Sequence, residues 1–461
     1  MTSASTKRLG DFLDASPTAF HAVDSMAALL EARGGRRLDE GSAWELEPGA
    51  LHFVVRGGSS LIAFRPGLLP PQETGFALAG AHTDSPALKA RIEKPLSGKG
   101  LERAAVEVYG SPILSTWMDR PLALAGRVAL RGVADPRRAE DQQAGDRRIE
   151  YRLLNLSRPV GVVPNLAIHL NRDVNKGFEL NAQTHLPVLV AAGLETPEGA
   201  ADKGGSAGDE GGSAAASWIL RLVARELGVE PEAVLGADLF FVDAQRSVVF
   251  GEEGELINAY RLDDLLGCHA ILEAFVDAVP ARHGQVAVFL DNEEIGSRTA
   301  RGADSSFLRD ILGRICALQG CGTEDFYRAL ARSFSVSVDV AQAWHPSYAE
   351  KFDESYAPLL GGGPALKANA NFRYATDAEA EAAFRLLCAD AGVGCQKYMS
   401  RADIAPGSTI GPMTSAHTGI ATVDIGAPLL SMHSARETAS LRDHELMTTV
   451  LAAHFRSGPR R

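Results

Sequence analysis

The apolar run Val286-Ala287-Val288-Phe289-Leu290 opens directly into Asp291-Asn292-Glu293-Glu294-Ile295-Gly296-Ser297. The run reads as a buried strand, which leaves two adjacent carboxylates in a polar turn that ends in glycine. Neighbours in extended chain point to opposite sides, so Glu293 and Glu294 are expected to do different jobs. A metal hydrolase needs that division: one carboxylate holds a divalent cation while the other takes a proton from the attacking water. A strand-end loop with two solvated acids would look the same in isolation, so partners elsewhere in the chain must decide.

Four further places carry an acid or a histidine at the end of a strand or the start of a helix. His82 and Asp84 lie in Gly80-Ala81-His82-Thr83-Asp84-Ser85-Pro86; two apart, they face one way in extended chain, with Asp84 placed to orient the imidazole. Asp263 lies in Arg261-Leu262-Asp263-Asp264-Leu265, where an acid could instead cap a helix, and Asp264 could do that capping. Asp339 ends the strand-like Phe334-Ser335-Val336-Ser337-Val338. His433 lies in Leu430-Ser431-Met432-His433-Ser434-Ala435-Arg436-Glu437, with Glu437 as an alternative salt-bridge partner. Two histidines with several carboxylates and no thiolate suit zinc, or manganese or cobalt, and disfavour a structural thiolate site.

Elements must hold these residues in place. Residues 19–33 have helical spacing and stop at Gly34-Gly35, and short strands are expected at 51–55, 60–64 and 76–80. Between about 96 and 250 the texture changes to strand-like pieces at 127–131, 151–156 and 186–191. A Gly-, Ala- and acid-rich tract at 196–213 reads as a solvated loop, and a helix is expected at 214–227. From residue 260 onward strands and helices alternate. Helices are expected at 262–279, 307–317, 376–388 (capped by Thr376 or Asp377) and 437–455, and strands at 285–290, 334–338 and 422–425. This alternation predicts an α/β fold, a mixed sheet sandwiched by helices, with a β-rich domain inserted into it. The boundaries expected are 1–94 and 248–461 for the sandwich and 95–247 for the insertion. Ligands of such sheets gather beyond the carboxyl ends of the strands.

The chain has 461 residues, a net charge of −12 and five cysteines in no CxxC pair. The acidic balance argues against nucleic acid or an anionic membrane as the main partner. The scattered odd thiols, the lack of a signal-peptide pattern and of a membrane-length apolar run predict a cytoplasmic protein.

Three more stretches complete the picture: Ser115-Thr116-Trp117-Met118-Asp119-Arg120, Leu166-Ala167-Ile168-His169-Leu170 and Gly407-Ser408-Thr409-Ile410-Gly411-Pro412. With those above, they resemble the motifs of the M18-family metallopeptidases, the aspartyl aminopeptidase group, in one order along nearly the whole chain. The resemblance implies a zinc-peptidase-like catalytic domain with an inserted dimerisation domain, and two divalent ions per subunit, most simply zinc, with manganese or cobalt as alternatives. Asp263 would bridge both ions, His82 and Asp339 would complete one site, and Glu294 and His433 the other. Glu293 would be the general base and Asp84 the carboxylate behind His82. His169 would reach a neighbouring subunit's active site and help stabilise the oxyanion. Lys367, in Gly361-Gly362-Gly363-Pro364-Ala365-Leu366-Lys367, would face an acidic side chain on the substrate's first residue. The partners implied are peptides with a free N-terminus and further copies of the chain, as a homo-oligomer of dodecameric size. Gln342 stands where familiar members are expected to have His, and His417 where Arg or Lys is usual, so both bear on specificity. The rivals are an aminopeptidase of different preference, an amidohydrolase of N-acyl amino acids using the same ion pair, and a non-catalytic scaffold.

Overall fold

The computed structural model describes residues 3–132, 149–193 and 217–460; the tract expected to loop at 196–213 lies outside them. The chain forms two compact units, Met1–Ser85 with Arg246–Arg461, and Pro86–Gln245. The first junction falls earlier than the expected 94/95. Residues of the strand Ala87–Gly98 pair antiparallel with Leu101–Tyr109 and belong to the sheet of the second unit.

The first unit is built on a nine-stranded mixed sheet. At its centre Gly284–Leu290, Phe76–His82, Phe334–Val338 and Ala421–Gly426 lie side by side and parallel. All four are buried along nearly their whole length, which is why they read as continuous apolar runs instead of alternating ones. Alternate residues serve the two faces. Ala79, Ala81, Ala287, Phe289, Val336 and Val338 pack with the helices Leu262–Val276 and Leu441–Ser457. Leu78, Val286, Val288 and Leu290 pack with Phe307–Leu318. The sheet is thus sandwiched by helices, and His82, Asp291 and Asp339 all emerge at the carboxyl edge of its parallel core.

Two expected helices differ. The segment 437–455 divides into a strand, Glu437–Ser440, paired antiparallel with Leu256–Ala259, and a helix, Leu441–Ser457. The helix at 262–279 ends at Val276, and its second and third residues, Asp263 and Asp264, depart from helical φ/ψ. Asp264 does the capping, its carboxylate accepting the Gly267 N–H at 3.2 Å. Asp377 caps Ala378–Ala391 through the Ala380 N–H.

The second unit is β-rich: a six-stranded antiparallel sheet ordered Ile149–Asn155, Leu122–Arg131, Val234–Asp243, Ala87–Gly98, Leu101–Tyr109, Val188–Ala192. Ser217 caps the helix Trp218–Leu227. Leu166, Ile168 and Leu170 are 55, 52 and 74% exposed, a run of apolar side chains turned to solvent. Among the described residues no helix is long and apolar enough to cross a membrane.

Candidate metal centre

The five expected ligands converge. His82 Nε2 lies 3.1 Å from Asp263 Oδ1 and 3.7 Å from Asp339 Oδ1. His433 Nε2 lies 3.5 Å from Asp263 Oδ2 and 3.4 Å from Glu294 Oε2. One oxygen of Asp263 therefore faces one histidine–carboxylate pair, and its other oxygen faces a second. Each triad can bring three ligand atoms within 4.8 Å of one another. His82 with Glu293 and Glu294 forms a further such group.

The donor set fits divalent cations. Glu294 Oε1 is buried with no hydrogen-bond partner among the described residues, a costly state for a carboxylate unless a cation answers it. Without one, the cluster can relieve its like charges only by holding protons. Burial, together with the Asp263 carboxylate, pushes Glu294 well above the usual carboxylate range. Burial pushes Glu293 up to about 8, with Asp339, Asp84 and Asp263 adding to it against the opposing His82. Burial disfavours charge on His82, yet the surrounding carboxylates of Asp263, Asp339 and Asp84 outweigh it and hold the imidazole well above its ordinary pKa. Asp263 goes the other way: despite its burial, His433 and His82 keep it below the normal range.

Two carboxylates organise this cluster through the backbone. Asp84 accepts the N–H of Glu293 at 3.0 Å and that of Glu294 at 3.1 Å. The nearest contact of His82 Nδ1 is the Asp84 main-chain oxygen at 3.1 Å, and the Asp84 carboxylate stands 3.6 Å away. Glu437 accepts the N–H of Asp263 at 2.9 Å and that of His433 at 2.7 Å. It is thus an anchor for the backbone of both residues. Burial and the nearby Asp263 raise Glu437 to about 8. Arg261, fully buried, donates to the main-chain oxygens of Ser16 and Thr83 and fixes the loop that follows His82.

Glu293 and Glu294 do not point to opposite sides. The strand ends at Leu290, and both glutamates sit in the single turn Glu293–Ile295 and line one cavity of about 360 Å³. That cavity is also lined by His82, Asp263, Asp339, His433, Lys367, Gln342, Tyr374 and Tyr398. Lys367 is buried in its wall, with 4% exposure. Its ammonium is 2.9 Å from the Val340 oxygen and 3.4 Å from both the main-chain oxygen and Oδ2 of Asp339. Despite its burial, Asp339 and Tyr374 keep it charged by raising its pKa above the ordinary lysine value. His417 does not line the cavity; it pairs with Asp304 at 2.6 Å. His169 is exposed in the short turn Ile168–Leu170 of the second unit and is not among the cavity residues either. Sequence reasoning passed over Tyr374 and Tyr398, which enter the cavity from distant segments with no local signal.

Comparison with known proteins gives a consistent picture. The family model described as aminopeptidase I zinc metalloprotease (M18) matches residues 12–455. The chain is 42% identical over 450 residues to a probable M18 family aminopeptidase 2 of Pseudomonas aeruginosa (strain UCBPP-PA14), covering 97% of each. A protein of the same name from Azotobacter vinelandii is 41% identical, again with 97% of each covered. Among solved structures, a chain of the Ape4 and Nbr1 complex matches with a TM-score of 0.88 and 33% identity, over 98% of this chain and 85% of that one. The S. cerevisiae mApe1 dodecamer matches with a TM-score of 0.80 and 25% identity, over 97% of this chain and 95% of that one.

Proposed function

The chain belongs to the M18 family of metal-dependent aminopeptidases, and from that premise we propose that it removes the N-terminal residue of peptides with a pair of divalent cations, preferring Asp and Glu. The observation that carries the dinuclear reading is the split of Asp263, whose two oxygens face two different triads. In this reading His82, Asp263 and Asp339 hold one ion, and Asp263, Glu294 and His433 the other. Zinc suits the imidazole and carboxylate donors, and manganese or cobalt would also fit them. When bound, the ions polarise the scissile carbonyl and make water more acidic.

Glu293 belongs to neither ligand triad of this reading and shares their cavity, the position of a base. It takes a proton from the attacking water and returns it to the leaving amine. Its raised pKa suits that exchange, because positive charge brought into the cluster draws it down toward neutrality. Asp84 and Glu437 keep the backbone of this machinery in register. Lys367 places a positive charge beside the cavity, which favours an acidic first side chain. His169 and the apolar side chains around it suit contact with another copy of the chain, where the histidine would help stabilise the oxyanion. An oligomer as large as a dodecamer is supported by the likeness to the mApe1 dodecamer. Five free cysteines agree with a reducing, cytoplasmic setting.

The deciding experiment assays purified protein with two metal equivalents on Asp-peptides. Glu293→Gln should lower kcat by about a hundredfold to ten-thousandfold while metal content is retained. Cleavage of N-acetylated but not free-amine peptides would instead make it a deacylase.

A further inference from the structure

One stretch of the cavity wall is fixed by hydrogen bonds that determine what it offers a substrate. The Tyr398 hydroxyl donates to Gln342 Oε1 at 3.0 Å and lies 2.9 Å from Ser400 Oγ. A phenol has one hydrogen to give; with it given to Gln342, Ser400 must be the donor to Tyr398. A carboxamide held by its oxygen turns its N–H2 away from that partner. Gln342 is exposed and lines the cavity, and among the described residues no acceptor meets its Nε2. It stands on the two-residue strand Ala341–Gln342, directly beyond Asp339 and Val340.

Lys367 is differently placed. An ammonium has three N–H donors, and here three oxygens surround it, those of Val340 and Asp339. The Tyr374 ring covers it at 4.9 Å. Reaching a substrate carboxylate would mean surrendering one of these bonds in a buried site. Gln342 surrenders none.

We propose, resting on the aminopeptidase reading, that Gln342 is a specificity-determining residue whose N–H2 receives an oxygen of the substrate's first side chain. A neutral N–H donor meets a carboxylate oxygen and an amide oxygen with the same geometry, and the charge-assisted bond is only about twice as strong. Peptides that begin with Asn or Gln are therefore substrates alongside those that begin with Asp or Glu.

The test measures kcat/KM of the metal-loaded enzyme on peptides identical except for a first residue of Asp, Glu, Asn, Gln, Ala or Leu. The wild type is expected to favour Asp over Asn, and Glu over Gln, by no more than about tenfold. Gln342→Ala is expected to lower both the Asp-to-Ala and the Asn-to-Ala ratio by about tenfold. Gln342→Glu keeps an acceptor for Tyr398, and so its tether, but replaces the donors with negative charge; it should favour Asn over Asp. A wild-type preference for Asp over Asn beyond about a hundredfold would overturn the proposal, since the charge would then be what is read. So would a Gln342→Ala enzyme that slows on all six peptides alike. No cleavage of any of the six after zinc, manganese or cobalt addition would overturn the aminopeptidase reading, and this proposal with it.

Discussion

The two halves of the proposed metal centre are built differently. His82 is the last residue of Phe76–His82, and Asp339 directly follows Phe334–Val338, two adjacent parallel strands of the buried sheet. Glu294 and His433 come from turns: one follows the strand Gly284–Leu290, and the other holds His433 at a left-handed φ of 66°. The His82 side chain is 1% exposed and that of His433 28%. One half is carried by the sheet. The other is carried by loops, held by the Asp84 and Glu437 carboxylates, and open at His433. Rigid elements position ligands more precisely than loops do, so the two proposed ions should differ in affinity, the loop-borne one being weaker.

Asp263 is common to both halves, so changing it should abolish the contrast. Asp263→Asn is expected to lower kcat at least about a thousandfold and to cost the protein both ions, as read by elemental analysis after dialysis. Loss of a single equivalent would show that the other site stands without it. Glu437→Gln sharpens the contrast, because a carboxamide has one acceptor for the two N–H groups of Asp263 and His433. One of the two stepwise metal affinities should fall about ten- to hundredfold in a chelator-competition titration, with the tighter step little changed. Equal weakening of both steps would show that Glu437 supports the whole cluster.

The smallest effect concerns pH. Glu293 and Glu437 titrate near 8 in the folded protein, against about 4.5 when unfolded. Between those values the folded chain holds protons that the unfolded chain has released, so the stability they lend is complete below the lower value and is lost as pH rises toward 8. His82, raised above its ordinary value, acts in the same direction. The melting temperature of chelator-treated protein should therefore fall by a few degrees between about pH 7 and 9. That window lies above the range in which the buried neutral histidines His21, His269, His444 and His454 work in the opposite direction. Metal loading should remove the trend. A flat or rising profile without metal would mean that the carboxylates are already ionised.

What could be seen in the sequence follows the same division. The sheet-borne candidate ligands are legible because a buried parallel strand is a continuous apolar run, and a polar residue at its end stands out. Side-chain alternation then failed one step later. It assumes extended backbone, and the chain has left the sheet by Asp84 and by Glu293, so Asp84 turns to the glutamate backbone and both glutamates reach one cavity. Glu437-Thr438-Ala439-Ser440 has no apolar alternation and merged with the helical pattern after it, which hid the strand that aims the Glu437 carboxylate. Gln342 and Tyr398 meet across 56 positions. Only the tertiary fold brings them together, and no local spacing could announce it.

The exposed Leu166, Ile168 and Leu170 surround a histidine that, in the reading above, serves a neighbour's substrate. If so, turnover is a collective property. An isolated chain has its ligands and its base but lacks one donor for the transition state, so specific activity should depend on dilution. At enzyme concentrations low enough for the assembly to come apart, rate per chain would drop while metal content stayed constant, and adding inactive Glu293→Gln chains that still carry His169 would restore it.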